Sequence, residues 1–268
     1  MTLHADSALL CGDLHADYGF LHARVLPSAV EAGVSAVVVL GDFGYWAHAR
    51  DFLREASRSR ENFGVDVWFL DGNHEEHPLL ASDAAACRED GADVRDPVRV
   101  GESLWWLPRG SRIEVGTLSV AVLGGAVSLD MAFRVEGEDW FAEEEASDED
   151  VAACVAGGPA DVLLCHDAPT GWVVPGLLPR DALFPQMRAR LVDGALHRIR
   201  LRAAYEAVAP RLLVHGHYHR SYRQTVDEPW GAVEVVGLQR NGFNGWGRVL
   251  RGDGGRVELG EPLPAFTH

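Results

Sequence analysis

Ala8-Leu9-Leu10-Cys11-Gly12-Asp13-Leu14-His15 is a short apolar run that stops at a glycine, a carboxylate and an imidazole. The same pattern returns downstream. Ala36 to Leu40 precedes Gly41-Asp42, Val65 to Leu70 precedes Asp71-Gly72-Asn73-His74-Glu75, Val162 to Cys165 precedes His166-Asp167, and Leu212 to Val214 precedes His215-Gly216-His217-Tyr218-His219. Runs this short, β-branched and without polar alternation, read as strands covered on both faces. Between the first three lie stretches suited to helices, one over 20–31 with Pro27 placed to kink it and Gly33 to end it, another over 49–59. Alternation of this kind implies βαβ units and a mixed or parallel sheet. Further runs at 104–107, 111–115, 118–123, 222–226 and 232–238 carry glycine turns and are expected to form antiparallel hairpins. The sum is an α/β fold, two sheets face to face with helices outside.

The chain of 268 residues shows no linker, which points to a single domain over 1–268. Hydrophobic residues at 47% and charged residues at 24% exclude disorder over most of its length. No apolar window approaches the roughly 18 residues of a membrane helix, and the first residues lack a signal-peptide pattern, so a cytoplasmic protein with no membrane partner is expected. Cys11, Cys87, Cys154 and Cys165 have no CxxC spacing, which argues against a disulfide framework or a thiolate zinc site. Every basic residue is an arginine, and the net charge is still -16. That balance opposes a nucleic-acid partner, which needs a basic face to displace counterions.

In open α/β sheets ligands collect beyond the carboxyl ends of the strands, so the five polar stretches are expected to meet. Taken singly each is ordinary turn chemistry. Together they offer carboxylates, imidazoles and one amide oxygen, a mixture suited to Mn, Fe, Zn or Ni at two adjacent ions.

In this order the motifs resemble the calcineurin-like metallophosphoesterase superfamily: Asp13-Leu14-His15, Gly41-Asp42, Gly72-Asn73-His74-Glu75, His166 and Gly216-His217-Tyr218-His219. The resemblance implies a four-layer αββα sandwich of two mixed β-sheets flanked by helices, with two divalent ions, Mn foremost and Fe, Zn or Ni as alternatives. It implies that Asp13, His15 and His219 bind one ion, that Asn73, His166 and His217 bind the other, and that Asp42 bridges them. His74 would be the catalytic histidine that is not a ligand. The implied activity is a phosphatase acting on a small phosphate ester, such as a nucleotide, by in-line attack of metal-bound hydroxide. A phosphodiesterase for cyclic nucleotides or other diesters is the alternative, followed by a scaffold without activity.

Departures narrow the subclass. Tyr45 stands where many members carry a second acid after Gly41-Asp42, which argues against the phosphoprotein phosphatase branch. Gly124 to Asp130, with Arg134, Trp140 and Glu143 to Glu145, looks similar to small bacterial and phage members. Arg134 and Arg220 are candidates to grip a phosphate oxygen, and Trp46 and Trp172 to stack on a base. Glu136 to Asp150 reads as a solvated acidic loop, ending in a Ser147/Asp150 cap before a helix. Residues 194–208 read as an amphipathic helix with Leu196, Ile199 and Ala203 inward. Asp167 is a candidate to hold the His166 ring or a loop amide, and Glu75 or Asp71 the His74 ring. His77 is expected at the surface, and His215 in the core.

Overall fold

The apolar runs become strands because each has an apolar layer on both sides. The computed structural model describes residues 2–175 and 183–265. Its first half runs β1 (Leu3–Ala5), β2 (Ser7–Cys11), α1 (Tyr18–Phe20), a π turn (Leu21–Val25), α2 (Leu26–Glu31), β3 (Ala36–Leu40), α3 (Arg50–Ser57), α4 (Ser59–Phe63), β4 (Asp66–Leu70), α5 (His77–Cys87), β5 (Val98–Arg99) and β6 (Leu104–Trp106). The second runs β7 (Arg112–Val115), β8 (Leu118–Leu123), α6 (Asp148–Ala156), β9 (Val162–Cys165), α7 (Pro185–Ala189), α8 (Leu191–Val208), β10 (Leu212–His215), β11 (Tyr222–Glu228), β12 (Gly231–Gly237), β13 (Gly247–Asp253) and β14 (Arg256–Leu259).

Two seven-stranded mixed sheets result, ordered β1-β7-β8-β9-β10-β12-β11 and β14-β13-β2-β3-β4-β6-β5. In the second, β2, β3 and β4 are parallel neighbours. In the first, β8, β9 and β10 are likewise parallel. Side chains alternate across a strand, so Leu10, Val38 and Leu70 meet Val122, Leu164 and Val214 between the sheets. Leu9, Val37 and Phe69 face outward onto Phe20, Leu26 and Phe52 of the helices. Leu123, Leu163 and Leu213 pack against Val151, Leu201 and Tyr205 on the opposite outer face. This is the four-layer αββα sandwich, and it explains why the strands carry no polar alternation.

Several elements differ from expectation. Leu104 to Trp106 forms its antiparallel hairpin with β5 rather than with 111–115 and adds parallel to β4 on its other edge, and the chain then crosses so that β7 pairs with β8 in the other sheet. The crossing passes Pro108 and Gly110, whose φ of 88° only glycine adopts freely. Before Pro27 the helix takes a π turn closed by Leu26 N–H donating to Leu21 O, so the proline enters near the start of α2, where a missing N–H costs little. In α8 the inward face is His197, Leu201, Ala204, Tyr205 and Val208, whereas Leu196 and Ile199 are 56% and 57% exposed. A buried, hydrogen-bonded histidine takes the position expected of an apolar residue. The strands β1, β5, β13 and β14 and helix α5 carry no clear periodic signal; in β13 the side chain of Arg248 is 5% exposed and donates to Gly260 O at 2.9 Å. Among the described residues no helix is long and apolar enough to cross a membrane.

Leu164→Ala empties space between two rigid sheets that cannot collapse easily, so urea unfolding should show a loss of about 2–5 kcal/mol with an unchanged slope. A loss below about 1 kcal/mol would contradict a tightly packed interlayer.

Candidate metal centre

Because β2, β3 and β4 run parallel in one sheet and β9 and β10 in the other, their carboxyl ends open on the same edge of the sandwich. The turns there are strained. His15, Asp42, His217 and His219 have φ of 49°, 46°, 65° and 50°, the left-handed region that costs a non-glycine residue on the order of 1–3 kcal/mol. Glycines make room for what the strain presents. A Cβ on Gly72 would stand 2.3 Å from Asp42 Oδ1, and one on Gly216 would stand 2.3 Å from Asp13 Oδ1.

Asp42 ties the loops together. Its backbone carbonyl accepts from Leu14 N and His15 N at 3.0 and 2.8 Å. Its Oδ1 accepts from Asn73 N and His74 N, both at 2.9 Å. On one side of it Asp13, His15 and His219 bring ligand atoms that, with Asp42, all lie within 4.8 Å of one another. His15 Nε2 and His219 Nε2 are 3.4 Å apart, and Asp13 Oδ2 is buried 2.8 Å from His219 Nε2 without accepting a well-formed hydrogen bond. On the other side His166 Nε2 lies 3.3 Å from Asp42 Oδ1 and 3.1 Å from Asn73 Oδ1. The His217 ring is 5.1 Å from that of His166. His166 Nδ1–H donates to Leu40 O at 2.7 Å, which fixes the ring with Nε2 inward. His74 stands beside both groups, its ring 5.1 Å from that of His15. All eight expected residues therefore meet in one place.

The field there favours positive charge. Burial works against the charged His166 ring, yet the Asp42 carboxylate outweighs it and carries the imidazole up to about 10. Burial alone would raise Asp42 and Asp13, and the surrounding imidazoles hold both below the usual carboxylate range. Buried oxygens and imidazole nitrogens converging without enough protons to satisfy them suit divalent cations.

Residues 7–221 match the family model of the calcineurin-like phosphoesterases. The chain belongs to that family. It is a metal-dependent phosphoester hydrolase. Over 96% of this chain and 98% of the other, its fold is similar to that of TT1561 of Thermus thermophilus, at 16% identity and a TM-score of 0.52. A weaker likeness, at 15% identity and a TM-score of 0.38, covers 88% of this chain and 90% of the phosphopantetheinyl hydrolase PptH of Mycobacterium tuberculosis. No curated protein matches the sequence.

The phosphoesterase opens its site into a cavity of about 460 Å³ lined by His15, Trp46, His48, His74, Arg134 and Asp139, among others. Arg134 holds the His74 ring, its Nη2 at 2.8 and 2.6 Å from the two ring nitrogens, and is itself anchored by Asp130. Trp46 Nε1–H donates to His74 O at 2.8 Å. Neither Glu75 nor Asp71 orients His74. Glu75 accepts from Phe43 N, Gly44 N and Gly72 N and so staples two ligand loops, while Asp71 is paired with Arg109. Arg220 donates to His219 O at 3.4 Å and lies outside the cavity lining. Trp172 packs on Tyr205 in the outer core.

Asp167 holds the loop amide of Ala168, at 2.7 Å, and the ring of His197 rather than that of His166, at 2.8 Å, and it accepts from the hydroxyl of Tyr218 at 2.6 Å, pinning the loop between His217 and His219. His77 is buried rather than exposed, on a larger cavity of about 730 Å³ behind Asp71 that contains none of the eight. The acidic stretch is not wholly solvated either, for Glu144 is 0% exposed.

His215 Nδ1–H donates to Gly216 O at 2.9 Å, leaving Nε2 to accept from the Tyr222 hydroxyl at 2.6 Å, and burial pushes the ring down to about 4. Above the unfolded value of about 6.5 neither state is protonated and the shift costs nothing. Below it only the unfolded chain takes the proton, so stability falls until about 4, by about 1.4 kcal/mol per pH unit. Urea midpoints should thus drop more steeply between pH 7 and pH 5 in the wild type than in His215→Gln. Equal slopes would deny His215 this role.

Proposed function

We propose that the chain is a phosphatase for small phosphate monoesters that works with two divalent ions, Mn foremost. Asp13, His15 and His219 hold one ion, Asn73, His166 and His217 the other, and Asp42 touches both. The observation that supports this reading is the Asp42 carboxylate, which lies between the two groups of donors and is shared by them. When bound, the ions supply Lewis-acid neutralisation of the phosphate and ionise water for in-line attack.

The protein's own groups do the rest. Asp13 and Asp42 subtract from the ions' charge while leaving the pocket positive enough for a dianion, so an acidic protein can take an anionic substrate. Arg134 and Trp46 set the position of His74, and Arg134 adds a fixed positive charge at the cavity wall. Burial, then the charges of Arg134 and His15, hold His74 below its ordinary value despite the pull of Asp42, which favours a neutral ring that accepts from Arg134 and keeps one N–H to donate to a leaving alkoxide. The cavity of about 460 Å³ fits a phosphate with one organic substituent, such as a nucleoside, against Trp46. A positive pocket favours the dianionic monoester over a monoanionic diester, which also requires room for a second substituent.

His74→Ala removes no proposed ligand, so metal content should hold while turnover of an alkyl phosphate falls by roughly 100-fold or more. The loss should shrink for nitrophenyl phosphate, whose leaving group needs no proton. Asp42→Asn should lose both ions and all turnover. Equal losses in His74→Ala for good and poor leaving groups, or a preference of the wild type for bis(nitrophenyl) phosphate over the monoester, would overturn the assignment.

A further inference from the structure

We infer that Ser128 and Glu144, outside the five strand-end motifs that carry the proposed ligands, are positioning residues that fix which end of the Asn73 carboxamide faces the ions. The inference rests on the proposed reading of Asn73 as a ligand.

Asn73 Nδ2–H donates to Ser128 Oγ at 2.9 Å, and the Ser128 hydroxyl donates to Glu144 Oε2 at 2.6 Å. Ser128 N–H donates to Glu144 Oε1 at 2.8 Å. Both carboxylate oxygens are thereby used, on a side chain that is 0% exposed. A charged carboxylate only accepts, so the Ser128 hydroxyl must spend its single hydrogen on Glu144. Its Oγ is then left as an acceptor, and only the amino end of Asn73 can face it. That leaves Asn73 Oδ1 turned toward His166 Nε2, at 3.1 Å. Polarity passes along the chain Glu144, Ser128, Asn73, and its direction presents oxygen to the cation. Reversed, the amide would present an N–H pair, which repels a cation.

The chain is itself anchored. Glu144 O accepts from Ala126 N at 3.0 Å, and Arg190, from the start of α8, lies 3.7 Å from Glu144 Oε1 and donates to Glu145 Oε1 at 2.8 Å. The guanidinium supports the charged carboxylate that the polarity needs. Asn73 is 5% exposed, so water cannot readily substitute for Ser128. Through Glu144 the acidic stretch thus reaches Asn73.

Calorimetric titration of metal-free protein with Mn²⁺ tests this, with wild type, Ser128→Ala and Glu144→Gln compared. Glutamine keeps the shape of Glu144 but places an amino group against either the Ser128 hydroxyl or its N–H, so it perturbs polarity rather than packing. Both variants should bind one ion with wild-type affinity and the other at least 10-fold more weakly, a selectivity that the lower unfolding temperature of Ser128→Ala, which leaves buried atoms of Asn73 and Glu144 unpartnered, does not by itself produce. Two ions bound as tightly as in the wild type would overturn the inference. So would equal weakening of both ions with a fallen unfolding temperature, which marks a purely structural role. A wild-type protein that takes up fewer than two ions overturns the two-ion reading as well, and the control shows which has failed.

Discussion

The Asp42 carboxylate and its backbone carbonyl are the constraint on which the site depends. A non-glycine residue at φ 46° is strained, and its carboxylate is 1% exposed beside the equally buried Asp13. Two like charges so placed repel, and in a low-dielectric interior the repulsion is strong. What holds Asp42 is that four backbone N–H groups, from Leu14, His15, Asn73 and His74, donate to it. The cost of the turn is offset by joining the β2, β3 and β4 loops at one residue. Stability and function compete here, because the same hydrogen bonds that satisfy Asp42 Oδ1 also leave its Oδ2 facing His15, 4.0 Å away.

Around this knot the αββα sandwich acts as a rigid frame. Parallel strands deliver their carboxyl ends to one edge, and the two sheets bring them from opposite sides, which is how residues as far apart as His15 and His219 come within 3.4 Å. The glycines at 72 and 216 complete the fit, since a methyl group there would occupy the oxygens of Asp42 and Asp13. Fixed donors that require no reorganisation on binding are what electrostatic stabilisation of phosphoryl transfer needs.

Much of this was legible in the sequence, for a physical reason. Asp13-Leu14-His15 and Gly216-His217-Tyr218-His219 follow doubly buried strands directly, so composition and chain direction together bring these carboxylates and imidazoles to one edge. The surrounding shell was not legible. Glu144 lies in a run of acids where solvation is the ordinary expectation, and only the tertiary approach of Ser128 shows that one of them is buried. The inward face of α8 reads from the sequence as Leu196, Ile199 and Ala203, yet hydrogen bonds to Asp167 and to the amide of Ala146 let His197 sit inside instead. Leu104 to Trp106 does close a hairpin, with β5 across Gly101, but local turn signals carry no information about which sheet a strand joins. Buried polar residues whose partners are distant in sequence leave no periodic trace.

The central claim, that Asp42 is shared by two cations, is tested most directly by a crystal structure of the Mn²⁺-loaded protein with anomalous scattering recorded at the manganese edge. Two anomalous peaks roughly 3.5–4 Å apart are expected, one against Asp13, His15 and His219, the other against Asn73, His166 and His217, with the Asp42 carboxylate reaching both. A single peak, or two peaks of which only one contacts Asp42, would contradict the account.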